Sequence, residues 1–110
     1  MKRLVLVLSV VVPLAACQTT GVNVGSGPLT MSPSVQELFR QYQQESNPTV
    51  FAISIDGQSA SYRYCPTYAD ACFPEASQGK VIRECQESSN GVPCKIYAVQ
   101  NNIVWKGASD

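Results

Sequence analysis

The chain has 110 residues, enough for one small domain, and a formal net charge of zero. It contains no histidine, so the commonest general base and zinc ligand is missing. Without the first sixteen residues it carries six basic and eight acidic side chains, and this balance offers nothing to attract nucleic acid.

Lys2-Arg3 leads into an eleven-residue apolar run, Leu4 to Leu14 (LVLVLSVVVPL), followed by Ala15 and Ala16. A short positive region, an apolar core and small residues are the grammar of a signal peptide. The run is shorter than the ~20 residues of a membrane-spanning helix. Pro13 interrupts it as well. Leu14-Ala15-Ala16-Cys17 resembles the lipobox of bacterial lipoproteins, a likeness that covers residues 1–17. The resemblance implies cleavage before Cys17 and a diacylglyceryl group on its thiol. Palmitate-like acyl chains, at ~0.8 kcal/mol per buried CH₂, would then anchor the protein. Gln18 stands where enteric lipoproteins retained in the inner membrane have aspartate. By that analogy the anchor lies in the outer membrane and the domain faces the periplasm. The expected organisation is a signal peptide at 1–16, a lipidated N-terminus with a flexible tether at 17–33, and a globular domain at 34–110.

The tether reading rests on composition. QTTGVNVGSGPLTMSP is uncharged and rich in Gly, Thr, Ser and Pro. An edge strand at Val22–Val24 is the alternative. From Ser34 the pattern changes. Ser34 and Glu37 have capping-box spacing, and Val35, Leu38, Phe39 and Tyr42 fall on one helical face. Asn47-Pro48 stops that helix. Thr49–Ile55 is short and β-branched, so a strand. Asp56-Gly57 marks a hairpin turn, and Ser59–Tyr64 is the returning strand.

A loop with Cys65 and Cys72 follows, and then a second helix from Glu75 to about Ser89, with Val81, Ile82 and Cys85 on one face. Asn90-Gly91 ends it, because both residues tolerate left-handed dihedrals. Cys94–Val99 and Ile103–Lys106 read as strands three and four. The predicted fold is α+β, in the order helix-hairpin-helix-hairpin, with an antiparallel sheet packed under both helices. Two α-β-β units in a row have the form of a duplication. Phe51, Ile53, Ile55, Ile96 and either Ile103 or Val104 are the expected core on the sheet side, and Trp105 reads as core too.

With Cys17 lipidated, four cysteines remain: Cys65, Cys72, Cys85 and Cys94. An even number in an exported domain suggests two disulfides. Three pairings exist, and sequence neighbourhood favours Cys65–Cys72 with Cys85–Cys94. The spacings of six, twelve and eight residues fit neither a zinc site nor a C-x-x-C redox site. No metal and no cofactor is expected.

No nucleophile-base constellation is visible. Asp56 and Asp70 read as turn residues, Glu84 and Glu87 as solvent-facing helix residues, and Lys80, Lys95 and Lys106 as solvated. The best binding candidate is the aromatic group Tyr62, Tyr64, Tyr68 and Phe73 with Arg63, which has the composition of an interface hot spot. The alternative is that two of these rings are core and the others flank a disulfide loop. FAISIDG…YRYC and C…GVPCKIYAVQNNIVWKG, together spanning about residues 50–107, resemble a pattern in small exported proteins of alphaproteobacteria with no assigned activity. That likeness implies the Cys85–Cys94 pairing and no substrate.

The expected function is therefore a non-enzymatic accessory or protein-binding module, anchored in the membrane by lipid, with an envelope protein as partner. The alternatives are an inhibitor of an envelope-targeting hydrolase such as lysozyme, and a small cell-wall-active enzyme.

Overall fold

The computed structural model describes residues 23–65 and 73–108. The elements in chain order are α1 (Pro33–Gln44), β1 (Pro48–Ser54), β2 (Ala60–Tyr64), α2 (Pro74–Ser88), β3 (Cys94–Val99) and β4 (Asn102–Ile103). The four strands form one antiparallel sheet in the order β2-β1-β3-β4.

Strand β1 is buried along its whole length. Successive side chains on a strand point to opposite faces, so such a strand needs cover on both. Phe51 and Ile53 join Val35 and Tyr42 of α1 in one cluster. Val50 and Ala52 join Val81 and Cys85 of α2 in the other. The two helices therefore lie on opposite faces of the sheet, not side by side on one. The same placement argues against a simple duplication. A two-fold axis between antiparallel β1 and β3 would stand normal to the sheet and keep both helices on one face.

Ile55 is a correction. It lies just past the end of β1 and is 49% exposed. Ile96 is core, but on the α2 side, opposite Phe51 and Ile53. Ile103 is exposed, while Val104 packs against the α2-side cluster. The fourth strand is only Asn102–Ile103, shorter than the expected Ile103–Lys106. Burial alternates along β3, but the faces do not, because its register against β1 slips: Phe51 pairs with Ala98, and Ala52 with Ile96. The extra residue lets Tyr97 and Ala98 both belong to the α1 side, while Val99 returns to the α2 side.

Helix α1 starts two residues earlier than its capping-box spacing suggests. Ser32 is the cap, and its Oγ accepts from the Val35 N–H at 3.2 Å. Pro33 suits the first helical position, where no N–H is needed. Ser34 is an exposed helix residue, and Glu37 pairs with Arg40 instead. Helix α2 ends where Asn90 and Gly91 take positive φ.

Residues 23–32 are not a free tether. Val24 bridges Ile96 and Ser26 bridges Lys106, both in parallel. The Ile96 N–H donates to the Asn23 carbonyl (2.7 Å), and the Gly27 N–H donates to the Lys106 carbonyl (2.7 Å). Leu29 is buried in the same cluster as Trp105. The Trp105 ring lies so close to Gly25 that a Cβ there would sit 2.1 Å from it, and its Nε1–H donates to the Gly27 carbonyl at 2.9 Å. Farther on, the Ser32 N–H donates to the Gly57 carbonyl. Gly57 has φ +74°, and a Cβ there would lie 1.9 Å from the Thr30 carbonyl oxygen. The folded unit thus reaches back to Asn23.

Cys85 and Cys94 form a disulfide that ties α2 to β3 inside the α2-side core. Cys65 is itself disulfide-bonded. Its expected partner, Cys72, lies outside the described residues, as do Cys17 and the signal peptide.

The two isoleucines separate the core assignment cleanly. Ile53→Ala should lower unfolding free energy by about 2–5 kcal/mol, and Ile55→Ala by less than about 1 kcal/mol. Urea unfolding under non-reducing conditions measures both.

Candidate functional site

The aromatic residues form a continuous layer beneath α1. Phe39 stands edge-on to Phe51 and to Tyr97, each with ring centroids 5.1 Å apart. Tyr42 lies 5.4 Å from both Phe51 and Tyr62. Tyr97 continues the layer to Trp105 at 6.2 Å, and Tyr62 continues it to Tyr64 at 6.2 Å. The row therefore runs from the N-terminal segment at one edge of the sheet to strand β2 at the other.

The predicted patch is divided by this geometry. Tyr62 turns inward against the α1-side core, and its hydroxyl donates to Glu45 Oε2 at 2.6 Å. Arg63 points to the other face of the sheet and pairs with Glu84 of α2. Glu84 also accepts from the Ser61 hydroxyl at 3.1 Å, so it serves β2 as well as facing water. Tyr64 is 42% exposed at the open side of β2, and Phe73 is 60% exposed at the N-cap of α2. Tyr68 and Asp70 lie outside the described residues. Phe39, Tyr42 and Tyr97 belong to the same aromatic layer. Their signals were the helical period of α1 and a β3 alternation blurred by the bulge.

Asp56, Glu45 and Glu84 each hold a structural hydrogen bond. Asp56 accepts from the buried Ser54 hydroxyl at 2.6 Å, which holds its pKa below the usual carboxylate range. That hydroxyl in turn accepts from the Gln58 and Ser59 N–H groups, so the turn is fully satisfied. Glu45 and Glu84 flank β2 from opposite faces and cannot close on one glycosidic bond. Among the described residues no three His, Cys, Asp or Glu side chains come together to hold a metal ion. No described helix is long and apolar enough to cross a membrane. No family model matches the chain, and no curated protein or solved structure does.

Burial, reinforced by the bond to Glu45, pushes the Tyr62 phenol up to about 12. Burial also raises the Tyr42 phenol, whose hydroxyl donates to the Gln100 carbonyl at 2.7 Å. Above the ordinary tyrosine pKa of about 10, the unfolded chain loses these protons while the folded one keeps them. Stability should therefore fall as pH rises from about 10 to about 12, and Tyr62→Phe should flatten part of that slope. Thermal melts across this range test the assignment; an unchanged slope in the variant would count against it.

Proposed function

We propose that the chain is a lipid-anchored protein of the bacterial envelope whose folded domain is a non-enzymatic binding module facing the periplasm. Leu14-Ala15-Ala16-Cys17 carries this reading, because charge, apolar run, small residues and cysteine occur in the order lipoprotein processing needs. The buried Cys85–Cys94 disulfide supports it, since such bonds persist in oxidising compartments. The Gln18 analogy favours the outer membrane. Among the described residues Tyr64 and Phe73 are exposed aromatics available to a protein partner, and such side chains are frequent binding anchors.

Cys17→Ser should abolish lipidation and move the protein from the detergent phase to the aqueous phase on Triton X-114 partitioning. Unchanged partitioning would sink the anchor. For the module itself, crosslinking in intact envelopes should capture a specific protein, and Tyr64→Ala with Phe73→Ala should reduce that capture. A captured hydrolase that loses activity on binding would select the inhibitor reading. Turnover of purified cell wall by the mature protein would overturn a non-enzymatic role.

A further inference from the structure

The two edges of the sheet are finished differently. On the β3 side, β4 and residues 23–26 cover the edge. On the other side β2 is the last strand, and among the described residues no strand pairs with its outer side. Proline, lysine or a bulge on an edge strand keeps it from pairing with another chain. Ala60–Tyr64 has neither proline nor lysine. The one irregularity against β1 comes from an extra residue in β1, Thr49, so β2 itself is regular.

Backbone direction sets what this edge offers. The Ser54 N–H donates to the Ser59 carbonyl at 2.8 Å, and the Cys65 N–H donates to the Asn47 carbonyl at 3.0 Å. Successive residues of an antiparallel strand turn their N–H and C=O groups to alternate sides. Ser59, Ser61, Arg63 and Cys65 therefore turn theirs toward β1, and Ala60, Tyr62 and Tyr64 turn theirs outward. A second β2 laid antiparallel, with Tyr62 opposite Tyr62 and Ala60 opposite Tyr64, pairs every one of these outward groups. No other antiparallel register within β2 does so.

The side chains fit the same register. It sets Arg63 of one copy opposite Ser61 of the other, with Cβ atoms about 4.5–5.5 Å apart. That is closer than the ~7 Å between positions 61 and 63 along one strand. Within each copy the Ser61 hydroxyl donates to Glu84 Oε1 at 3.1 Å, and Arg63 pairs with Glu84 Oε2. Arg63 of each copy thus faces Glu84 of the other, and the four charges alternate around the two-fold axis. On the opposite face Tyr64, 42% exposed, lies over the small Ala60 of the other copy, and the aromatic row continues through Tyr62. An unrelated strand would need a base and an acid at matched positions, which a second copy supplies by symmetry.

Resting on the binding-module reading, we propose that the Tyr64 edge binds a second copy of this chain. The two β2 strands meet at a two-fold axis through Tyr62 and join both four-stranded sheets into one. The contact is short, so the association is reversible and concentration-dependent.

The test follows the full-length protein in detergent by sedimentation velocity and hydrogen exchange over a range of protein concentration. A dimer should grow as concentration rises, and the amides of Ala60, Tyr62 and Tyr64 should gain protection in step with it. The amides of Ser61 and Arg63 should be protected throughout. Arg63→Glu alone and Glu84→Arg alone should each weaken the dimer at least about tenfold, because each sets like charges across the axis. An equimolar mixture of the two should recover most of the loss by pairing one variant with the other. Association through shared micelles would not respond to these charges, and a mixture no stronger than its parts would overturn the pairing. Protection of Ala60, Tyr62 and Tyr64 that is independent of concentration would also overturn it. So would a monomer at every concentration, which leaves the module itself to the envelope crosslinking.

Discussion

Strand β1 has no face toward water, and the rest of the molecule is arranged around that fact. Val50, Phe51, Ala52 and Ile53 are fully buried. Burying a side chain such as Phe, Ile or Val stabilises by roughly 1.5–3 kcal/mol, but only if both faces of the strand are covered. Helix α1 covers one face and α2 the other, while β2 and β3 satisfy the two edges. The disulfide fastens α2 to β3 on one side, and the aromatic layer fastens α1 to the sheet on the other. A loop of this length contributes about 2–3 kcal/mol in the entropy model, a large share of a small domain's stability.

The N-terminal segment completes this arrangement. Strand β4 is too short to cover the outer edge of β3, and residues 23–26 occupy the part it leaves open. Trp105 is the fastening: its ring leaves no room for a side chain at Gly25, and its indole N–H holds Gly27. An unpaired edge would be a template for unwanted pairing, so this cover protects the sheet as well as extending it.

What the sequence made legible follows from how local each signal is. The helical period of Val35, Leu38, Phe39 and Tyr42, the Asn90-Gly91 stop and the β-branched run at 49–55 all depend on neighbours in the chain. Two helices and the first three strands lie close to the bounds these signals give, while the fourth strand overlaps its expected range only at Ile103. Three features were hidden because they depend on distant residues. A run buried on both faces looks the same as a strand buried on one, so the placement of α2 across the sheet did not show. The β3 bulge moves Tyr97 and Ala98 to the same side although burial along the strand still alternates, so the alternation of residue types does not report the side. Residues 23–32 have the composition of a linker, and only Trp105, some 80 positions later, makes them structure. The aromatic group is divided for a related reason. Strand alternation sends Tyr62 and Arg63 to opposite faces, and Tyr62 finds its partner in Glu45, a residue of the preceding segment.

Residues 23–27 belong to the fold, and Trp105 holds this segment in place. Hydrogen exchange of the native protein tests it most directly. The amides of Gly25 and Gly27, which donate to Ile96 and Lys106, should exchange far more slowly than an unstructured chain, and Trp105→Ala should release them before β1. Exchange of Gly25 and Gly27 at the unprotected rate in the unmutated protein would contradict the claim, and residues 23–32 would be a tether after all.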